Sequence, residues 1–333
     1  MKEILDHLIE FKTLDRKTAQ KVLMELAKGE FNTSQMAAFL TTYMMRPVTV
    51  DELEGFRDAM LELCIRVDLD EYDAMDLCGT GGDGKDTFNI STLSSFIVAG
   101  AGQNVAKHGN NGVSSICGSS NLLNAFGHEF TNSEDELKSS LDRSGLCFLH
   151  APLFHPAMKN IAPVRRELGV KTFFNMLGPM VNPAFVKKQI VGVFNLELAR
   201  LYAYLYEQSD KQYAIIHSLD GYDEISLTGP YKMISNSGEK VVDPDRKYQP
   251  IDLRGGDTIE ESANLFLDIL KGKGTEAQEA VVLANAGLAL FAAQQDRSYG
   301  DALGLAEESL RSGKALESFN KFINKEIRVA LSN

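Results

Sequence analysis

Apolar residues recur at helical spacing through the N-terminal part of the chain, across 3–11, 16–28 and 34–45. The sequence from Thr49 to Glu52 has the form of a capping box, in which two side chains satisfy backbone N–H groups at a helix start. It predicts a fourth helix that continues to about Arg66, and Pro47 separates this helix from the third. The N-terminal part of the chain is therefore predicted to be all helical.

From Asp73 onward, short apolar runs alternate with segments of helical periodicity. Strands are predicted at 74–78, 104–107, 146–149, 188–194 and 213–218, and helices near 91–101, 119–126, 134–143, 156–168 and 197–208. A hairpin is predicted at 230–243, with its turn at Ser235-Asn236-Ser237-Gly238, before helices near 258–270, 275–294, 299–312 and 315–330.

This alternation predicts an α/β fold with a mostly parallel central sheet flanked by helices, and a smaller all-helical N-terminal domain. We expect the small domain at residues 1–70, joined by a segment near 165–185, and the α/β domain at residues 71–333. With 333 residues, of which 44% are hydrophobic, the chain can bury a substantial core.

A glycine-rich loop, DLCGTGGDGKDTFNIST, begins at Asp76 in the first predicted strand. Its glycines lack the Cβ atoms that would keep the backbone from an oxygen-rich ligand, so successive N–H groups can turn into one concavity. Asn89, Ser91 and Thr92 fall at the start of the next helix, a position that suits an anion. Taken alone, such a loop is more typical of a tight turn, and it has neither the Walker nor the Rossmann pattern.

A second loop, KHGNNGVSSICGSS, begins at Lys107, at the end of the second predicted strand. Ligands bind at the carboxyl ends of strands in open α/β sheets. Singly, Lys107 is typical of a solvated surface lysine and His108 of a structural histidine. Two such loops about 25 residues apart, roughly one β-α-β step, together predict a cradle for a phosphorylated ligand.

Charge and cysteine content narrow the class of protein further. The net charge of −12 weighs against binding of nucleic acids or anionic membranes. No apolar run reaches membrane-spanning length, and the N-terminal residues form an amphipathic pattern rather than a signal peptide. Cys64, Cys78, Cys117 and Cys147 lack metal-site spacing, which favours reduced thiols in a cytoplasmic protein.

Several motifs of the chain together resemble those of a known enzyme family. GTGGDG, NIST, KHGN followed by paired serines, GSS, and the block HAPLFHPAMKNIAPVRRELGVKTFFNMLGPMVNPA from His150 to Ala184 resemble the anthranilate phosphoribosyltransferases. The similarity runs from the N-terminal helices nearly to the C-terminus. Two positions depart from the common pattern, because Asn111 stands where arginine often follows KHGN, and Asn121 follows GSS where aspartate is common.

The resemblance implies transfer of the 5-phosphoribosyl group from phosphoribosyl diphosphate to the amine of anthranilate, in tryptophan biosynthesis. It also implies Mg²⁺ as cofactor and a homodimer formed through the helical domain. An acidic chain that binds a diphosphate must concentrate its cations or recruit a metal, which is consistent with magnesium. We assign no general base and treat His108 as a positioning residue, since electrostatics and orientation carry such a transfer.

The resemblance also assigns site residues. Anthranilate is assigned to Gly79, Asn110 and Arg165, and the metal to Ser91, Asp223 and Glu224. Phosphoribosyl diphosphate is assigned to Gly79, Gly82, Asp83, Thr87, Asn89, Ile90, Ser91, Thr92, Lys107, His108, Gly109, Asn110, Asn111, Gly112, Val113, Ser114, Ser115 and Ser119.

Without the resemblance, two of these assignments have plainer interpretations. Arg165 and Arg166 lie after Pro163, which we expect to kink the helix begun by Pro156, and an ion pair with Glu167 is their ordinary role. Asp223 and Glu224, in DGYDEIS, are ordinarily a solvated turn. Within the family, an arginine at this position matches the anthranilate carboxylate, and the acidic pair converges on magnesium.

Two alternatives remain open. A pyrimidine nucleoside phosphorylase has a similar fold and a KHGN-like loop, but it carries a longer C-terminal α/β domain and a threonine where this chain has Asp83. A non-catalytic or nucleic-acid-binding homologue is the second alternative. The acidic composition and the presence of Lys107, Asn110 and Arg165 weigh against it.

Overall fold

The structure is a computed structural model that describes residues 1–112, 116–294 and 296–324. Val113, Ser114 and Ser115, assigned above to phosphoribosyl diphosphate, lie outside the described residues. The chain divides into two compact units. The helical unit consists of Met1–Val67 and Ala151–Phe185, and the sheet unit consists of Asp68–His150 and Val186–Asn333.

The elements follow in chain order. The α-helices are α1 Lys2–Ile9, α2 Arg16–Lys28, α3 Thr33–Met45, α4 Val50–Leu63, α5 Ile90–Gly100, α6 Ser119–Ala125, α7 Glu134–Ser144, α8 Ala151–Phe154, α9 Ala162–Leu168, α10 Phe174–Leu177, α11 Leu196–Glu207, α12 Ile259–Leu270, α13 Glu276–Ala293, α14 Tyr299–Arg311 and α15 Lys314–Phe322. The strands are β1 Met75–Gly79, β2 Val105–Gly109, β3 Leu146–His150, β4 Lys188–Gly192, β5 Gln212–Ser218, β6 Tyr231–Ser235 and β7 Gly238–Val242.

The seven strands form one sheet in the order β3-β2-β1-β4-β5-β6-β7. Strands β1 to β5 pair in parallel, and β6 and β7 add an antiparallel hairpin at one edge. The turn of this hairpin lies at Ser235–Gly238, as predicted. The mostly parallel sheet and the helical N-terminal part are thus confirmed.

Burial explains the composition of the strands. The first four residues of β1 are buried because β2 and β4 flank it and helices cover both faces of the sheet. Met75 and Leu77 belong to the apolar core that α5 and α13 complete. Helix α11 packs against β5. Of the helices that the structure describes, none is both long and apolar enough to cross a bilayer.

One predicted helix is wrong. In place of a single kinked helix over 156–168, a 3₁₀ helix spans Pro156–Asn160 and α9 begins separately at Ala162. Pro163 therefore lies in the first turn of α9, where its missing N–H costs no hydrogen bond, rather than at a kink. The fourth helix also ends at Leu63 instead of Arg66. The helix predicted over 315–330 ends at Phe322, with Ile323 and Asn324 in a turn, and residues 325–330 lie outside the described residues.

The helical unit is built around aromatic side chains and one buried acid. Phe39, Tyr43 and Phe56 surround Phe173, which stacks on Phe56 with ring centroids 4.3 Å apart. Beside them, Glu52 forms the predicted capping box with Thr49.

The Glu52 carboxylate also joins three parts of the helical unit. It accepts hydrogen bonds from the Leu14 N–H at 3.0 Å and from the Tyr43 hydroxyl at 3.1 Å. It also pairs with Arg46, whose side chain is only 8% exposed. The acid therefore ties α4 to the end of α3 and to the segment before α2.

We predict that Glu52→Ala destabilises the protein by about 3–5 kcal/mol, because it leaves the buried Arg46 guanidinium without its acid. Urea unfolding measured by circular dichroism checks this. The matched control is Glu25→Ala, since Glu25 pairs with Lys21 at 3.8 Å on the surface and should change stability by less than about 1 kcal/mol. Equal effects of the two substitutions would contradict the account.

Candidate active site

Strands β1 and β4 both end in glycine, and an acidic segment rests on those ends. A Cβ at Gly79 would lie 2.5 Å from Asp223 Oδ2, and a Cβ at Gly192 would lie 1.4 Å from the Asp223 carbonyl oxygen. The backbone contact excludes any side chain at Gly192, whereas a side chain at Gly79 would displace the Asp223 carboxylate. Asp223 therefore lies directly on the carboxyl ends of both strands, where the strand order of the sheet reverses and ligands bind in open α/β folds.

The first loop binds this acidic segment through its backbone. The Gly81 N–H donates to Asp223 Oδ2 at 2.7 Å, and the Ser91 N–H at the start of α5 donates to Glu224 Oε1 at 3.0 Å. The Asp223 N–H in turn donates to Asp83 Oδ2 at 3.4 Å. Because Asp223 is only 9% exposed, the acidic pair is not a solvated turn.

The carboxylates of this segment repel one another in a buried setting. Burial, with the charge of Asp83, raises the pKa of Asp223 to about 7. Burial, with the charges of Asp223 and Asp83, also raises the pKa of Glu224 well above its usual value. Glu224 Oε2 is buried and has no hydrogen-bond partner among the described residues. The electrostatics of the site therefore favour a bound cation.

The donor set suits a hard cation. Carboxylate and hydroxyl oxygens are the ligands that Mg²⁺ prefers, usually one or two carboxylates completed by phosphate oxygens and water. Across the part of the chain that the structure describes, no group of three or more His, Cys, Asp or Glu side chains is arranged to hold a metal. The carboxylates of Asp223 and Glu224 and the Ser91 hydroxyl are oxygen donors of the kind that Mg²⁺ prefers, and the Ser91 N–H bonds to Glu224.

Lys107 is a buried cation rather than a surface lysine. Its side chain lies inside the protein, with the residue only 2% exposed. The ammonium group donates to the Leu77 carbonyl oxygen and, at 3.2 Å, to the Ser91 hydroxyl. Burial lowers the pKa of Lys107, and the nearby charge of Asp76 opposes that shift. Ser91 thus links Lys107, through its hydroxyl, to Glu224, through its N–H.

The second loop is folded on itself and tied to the first. The Asn110 carbonyl oxygen accepts from the Ser120 N–H at 3.1 Å and from the Ser119 hydroxyl at 3.3 Å. The Asn89 side chain donates to the Cys117 carbonyl oxygen at 2.9 Å. This last bond joins the first loop to the second near the carboxyl ends of β1 and β2.

The other predicted residues of the two loops fall into two groups. Some have side chains in the protein interior, so that only their backbone can face a ligand: Ile90, Thr92 and His108. Others lie at or near the surface: Gly82, Thr87, Gly109, Asn111 and Gly112.

Arg165 lies in the helical unit, on α9. Its guanidinium carbon lies 5.0 Å from the centroid of the Phe174 ring, and Nη2 makes a long 3.5 Å contact with Asn175 Oδ1. Burial lowers the pKa of Arg165. Within the described part of the helical unit it has no ion pair, so the ordinary pairing with Glu167 is not formed. Arg166 is exposed.

The sequence analysis assigned no role to two residues that shape these loops, Asn121 and Asp76. Asn121 Oδ1 accepts from the Gly112 and Gly118 N–H groups at 2.8 and 3.1 Å, and so closes the second loop. Asp76 is fully buried in β1, where the apolar run Met75–Cys78 concealed it. A charged residue inside an otherwise apolar strand was the available signal.

Family models match both parts of the chain. Residues 71–316 match the glycosyl transferase family a/b domain, and residues 2–64 match the glycosyl transferase family helical bundle domain. The chain is 57% identical to the anthranilate phosphoribosyltransferase of Christiangramia forsetii over 96% of this chain and 98% of the relative. The chain belongs to the anthranilate phosphoribosyltransferase family.

Other anthranilate phosphoribosyltransferases agree with this. That of Bacteroides thetaiotaomicron is 47% identical over 97% of this chain and 98% of its own. The crystal structure from Thermus thermophilus superposes with a TM-score of 0.89 at 32% identity, covering 96% of this chain and 98% of that one. The enzyme from Saccharomyces cerevisiae in complex with PRPP and Mg superposes with a TM-score of 0.87 at 25% identity, covering 96% of each chain. The pyrimidine nucleoside phosphorylase alternative is therefore not favoured.

We predict that Glu224→Gln raises the Tm by about 2 °C at pH 8 in EDTA. An ionised glutamate must either be buried as a charge or take up a proton on folding, and glutamine does neither. Differential scanning fluorimetry checks this, and added Mg²⁺ should stabilise the unsubstituted protein more than the variant.

The matched control is Glu239→Gln on β7, where the side chain is 65% exposed. It should change neither the Tm in EDTA nor the response to Mg²⁺. Stabilisation of Glu224→Gln by Mg²⁺ equal to that of the unsubstituted protein would rule out Glu224 as a metal ligand.

Proposed function

We propose that this protein transfers the 5-phosphoribosyl group of phosphoribosyl diphosphate to the amine of anthranilate, giving N-(5-phosphoribosyl)anthranilate and diphosphate in tryptophan biosynthesis. Family membership over nearly the whole chain supports the reaction. The observation within the structure that carries it is the buried pair Asp223–Glu224, held by backbone N–H groups of the glycine-rich loop, with Glu224 Oε2 lacking a hydrogen-bond partner among the described residues.

Mg²⁺ is the proposed cofactor, held by Asp223, Glu224 and the Ser91 hydroxyl, as the PRPP and Mg in the Saccharomyces cerevisiae relative suggest. When bound, the metal would neutralise negative charge on the diphosphate as the bond to ribose C1 breaks. The chain itself contributes the N–H groups of Gly82, Asp83 and Asn89 to Thr92 on the same side. The Ser91 N–H reaches a phosphate only if it gives up its bond to Glu224.

The second loop is proposed to hold the ribose phosphate. Lys107 contributes a buried positive charge behind the loop, because its ammonium points to Leu77 and Ser91 rather than to solvent. Ser119 contributes a hydroxyl that bonds to the Asn110 carbonyl oxygen. His108 acts by position, since the residue is only 6% exposed. The remaining phosphoribosyl diphosphate contacts stay as assigned from the family resemblance.

Arg165 is the proposed ligand of the anthranilate carboxylate. A half-buried guanidinium that has no acid partner among the described residues of its unit, and that lies against an aromatic ring, is suited to a planar carboxylate in a way that lysine is not. Gly79 and Asn110 remain proposed contacts for the same substrate. We propose no general base, because orientation of the weak aromatic amine and stabilisation of the leaving group suffice for the transfer.

A cytoplasmic homodimer is proposed with these roles. Several apolar side chains of the helical unit are exposed, among them Phe11 at 70% and Met45 at 74%, and they offer a surface for a second copy. The mass of the purified protein, measured by light scattering, tests the dimer.

The reaction is tested by incubating the purified protein with anthranilate, phosphoribosyl diphosphate and Mg²⁺ and following the loss of anthranilate fluorescence. We expect turnover that stops when EDTA is added. A parallel incubation with thymidine and phosphate tests the phosphorylase reaction and should give none. Absence of Mg²⁺-dependent anthranilate consumption would refute the proposed reaction.

We predict that Arg165→Ala raises the KM for anthranilate by about 10- to 100-fold, the value of a charge-assisted hydrogen bond. The affinity for phosphoribosyl diphosphate, measured by calorimetry, should change by less than about threefold. Arg166→Ala, an exposed arginine on the same helix, is the matched control and should leave both unchanged. If Arg165→Ala keeps the anthranilate kinetics of the unsubstituted enzyme, the placement of the carboxylate is wrong.

A further inference from the structure

Strands β1 and β2 lie side by side in the sheet, with Met75 opposite Val105. On their other sides, β1 pairs with β4 from Met75–Lys188 to Gly79–Gly192, and β2 pairs with β3 from Val105–Leu146 to Gly109–His150. The two proposed substrate loops begin at the carboxyl ends of β1 and β2.

Two side chains meet backbone groups at the ends of β1 and β2. In a parallel ladder continued from Met75 and Val105, Leu77 lies opposite Lys107, and the His108 N–H donates to the Leu77 carbonyl oxygen. Here the His108 N–H donates to Asp76 Oδ1 at 3.1 Å. The Leu77 carbonyl oxygen accepts from the Lys107 ammonium group. Asp76 and Lys107 therefore satisfy two backbone groups that a continued ladder would join to each other.

The second oxygen of the Asp76 carboxylate is held by a chain of two buried side chains. Gln189 on β4 donates through Nε2 to Asp76 Oδ2 at 3.2 Å. The Tyr206 hydroxyl on α11 donates to Gln189 Oε1 at 2.6 Å. Asp76 and Gln189 are both fully buried, and Tyr206 nearly so. A buried carboxylate is costly unless it is fully bonded, so this chain of contacts holds Asp76 in one orientation.

We propose that Asp76 is a positioning residue for the phosphoribosyl diphosphate site. By accepting the His108 N–H, it fixes the backbone at the start of the second loop relative to β1. Because the His108 N–H bonds to Asp76, the Leu77 carbonyl oxygen is left to anchor Lys107 beside the Ser91 hydroxyl. This inference rests on the proposed function, because the loop that it positions is the one proposed to hold the ribose phosphate.

A comparison of Asp76→Ala with Asp76→Asn distinguishes a positioning role of Asp76 from a purely stabilising one. Asp76→Ala removes the acceptor for the His108 N–H, and we expect the Kd for phosphoribosyl diphosphate with Mg²⁺ to rise at least about tenfold. The KM for anthranilate should stay within about twofold. Asp76→Asn keeps an oxygen at Oδ1, and we expect it to restore the Kd to within about threefold of the unsubstituted enzyme.

Tyr206→Phe is the matched control. It removes the outermost hydroxyl of the same buried chain but keeps the bonds of Asp76 to Gln189 and to the His108 N–H, so it should lower the Tm without changing the Kd for phosphoribosyl diphosphate. Should Asp76→Ala not fold, Asp76→Leu replaces it, because leucine fills a similar shape and also lacks the acceptor. The inference is overturned if the alanine or leucine variant lowers the Tm but keeps the Kd, or if asparagine fails to restore it.

Two separate measurements distinguish failure of the inference from failure of the proposed function. Binding of phosphoribosyl diphosphate is measured by calorimetry, and anthranilate turnover is measured separately on the unsubstituted enzyme. Binding without turnover would refute the reaction while still testing Asp76. Turnover with unchanged binding by Asp76→Ala would refute the positioning role alone.

Discussion

The close approach of Asp223 to the ends of β1 and β4 is the contact on which the site depends. Gly79 and Gly192 leave room for it, since a side chain at Gly192 would collide with the Asp223 backbone and one at Gly79 would displace its carboxylate. With the acidic segment in this place, the first loop can bind it through the N–H groups of Gly81 and Ser91. The start of α5 is thereby fixed against the same segment. The small size of the two glycines at the strand ends thus determines the geometry of the glycine-rich loop.

This arrangement places several negatively charged groups close together. Three carboxylates lie near one another, two of them in largely buried positions, and the pKa values of Asp223 and Glu224 rise as a result of burial and mutual repulsion. The nearby cation, Lys107, is buried and directed at Leu77 and Ser91. A metal that arrives with an anionic substrate would relieve the repulsion. The site is therefore less stable without its ligands than an apolar packing would be, as is common at functional sites.

Much of the fold follows from local sequence signals. The capping box at Thr49, the turn at Ser235–Gly238 and the alternation of strands and helices depend on residues close in the chain, and the structure contains them all. The helix predicted over 156–168 failed because a proline is compatible both with a kink and with a first turn, and local sequence does not decide between them.

The chemistry of the site was predictable only in part. Motifs identified the two loops and the acidic pair, but not the contacts among them, which depend on tertiary packing. Asp76 carried a signal, a charge inside an apolar strand, but its role depends on the position of β1 against β2, which a single strand sequence does not contain. The burial of Lys107 likewise depends on the bond from its ammonium group to the Leu77 carbonyl oxygen on the neighbouring strand.

The central claim is that Asp223 and Glu224 need a metal in order to receive the diphosphate. Calorimetric titration of phosphoribosyl diphosphate into the purified protein, with Mg²⁺ and with EDTA, tests it most directly. The account predicts binding at least about tenfold tighter with Mg²⁺, and no such difference for the double variant Asp223→Asn, Glu224→Gln. Equal affinity with and without Mg²⁺ in the unsubstituted protein would contradict it.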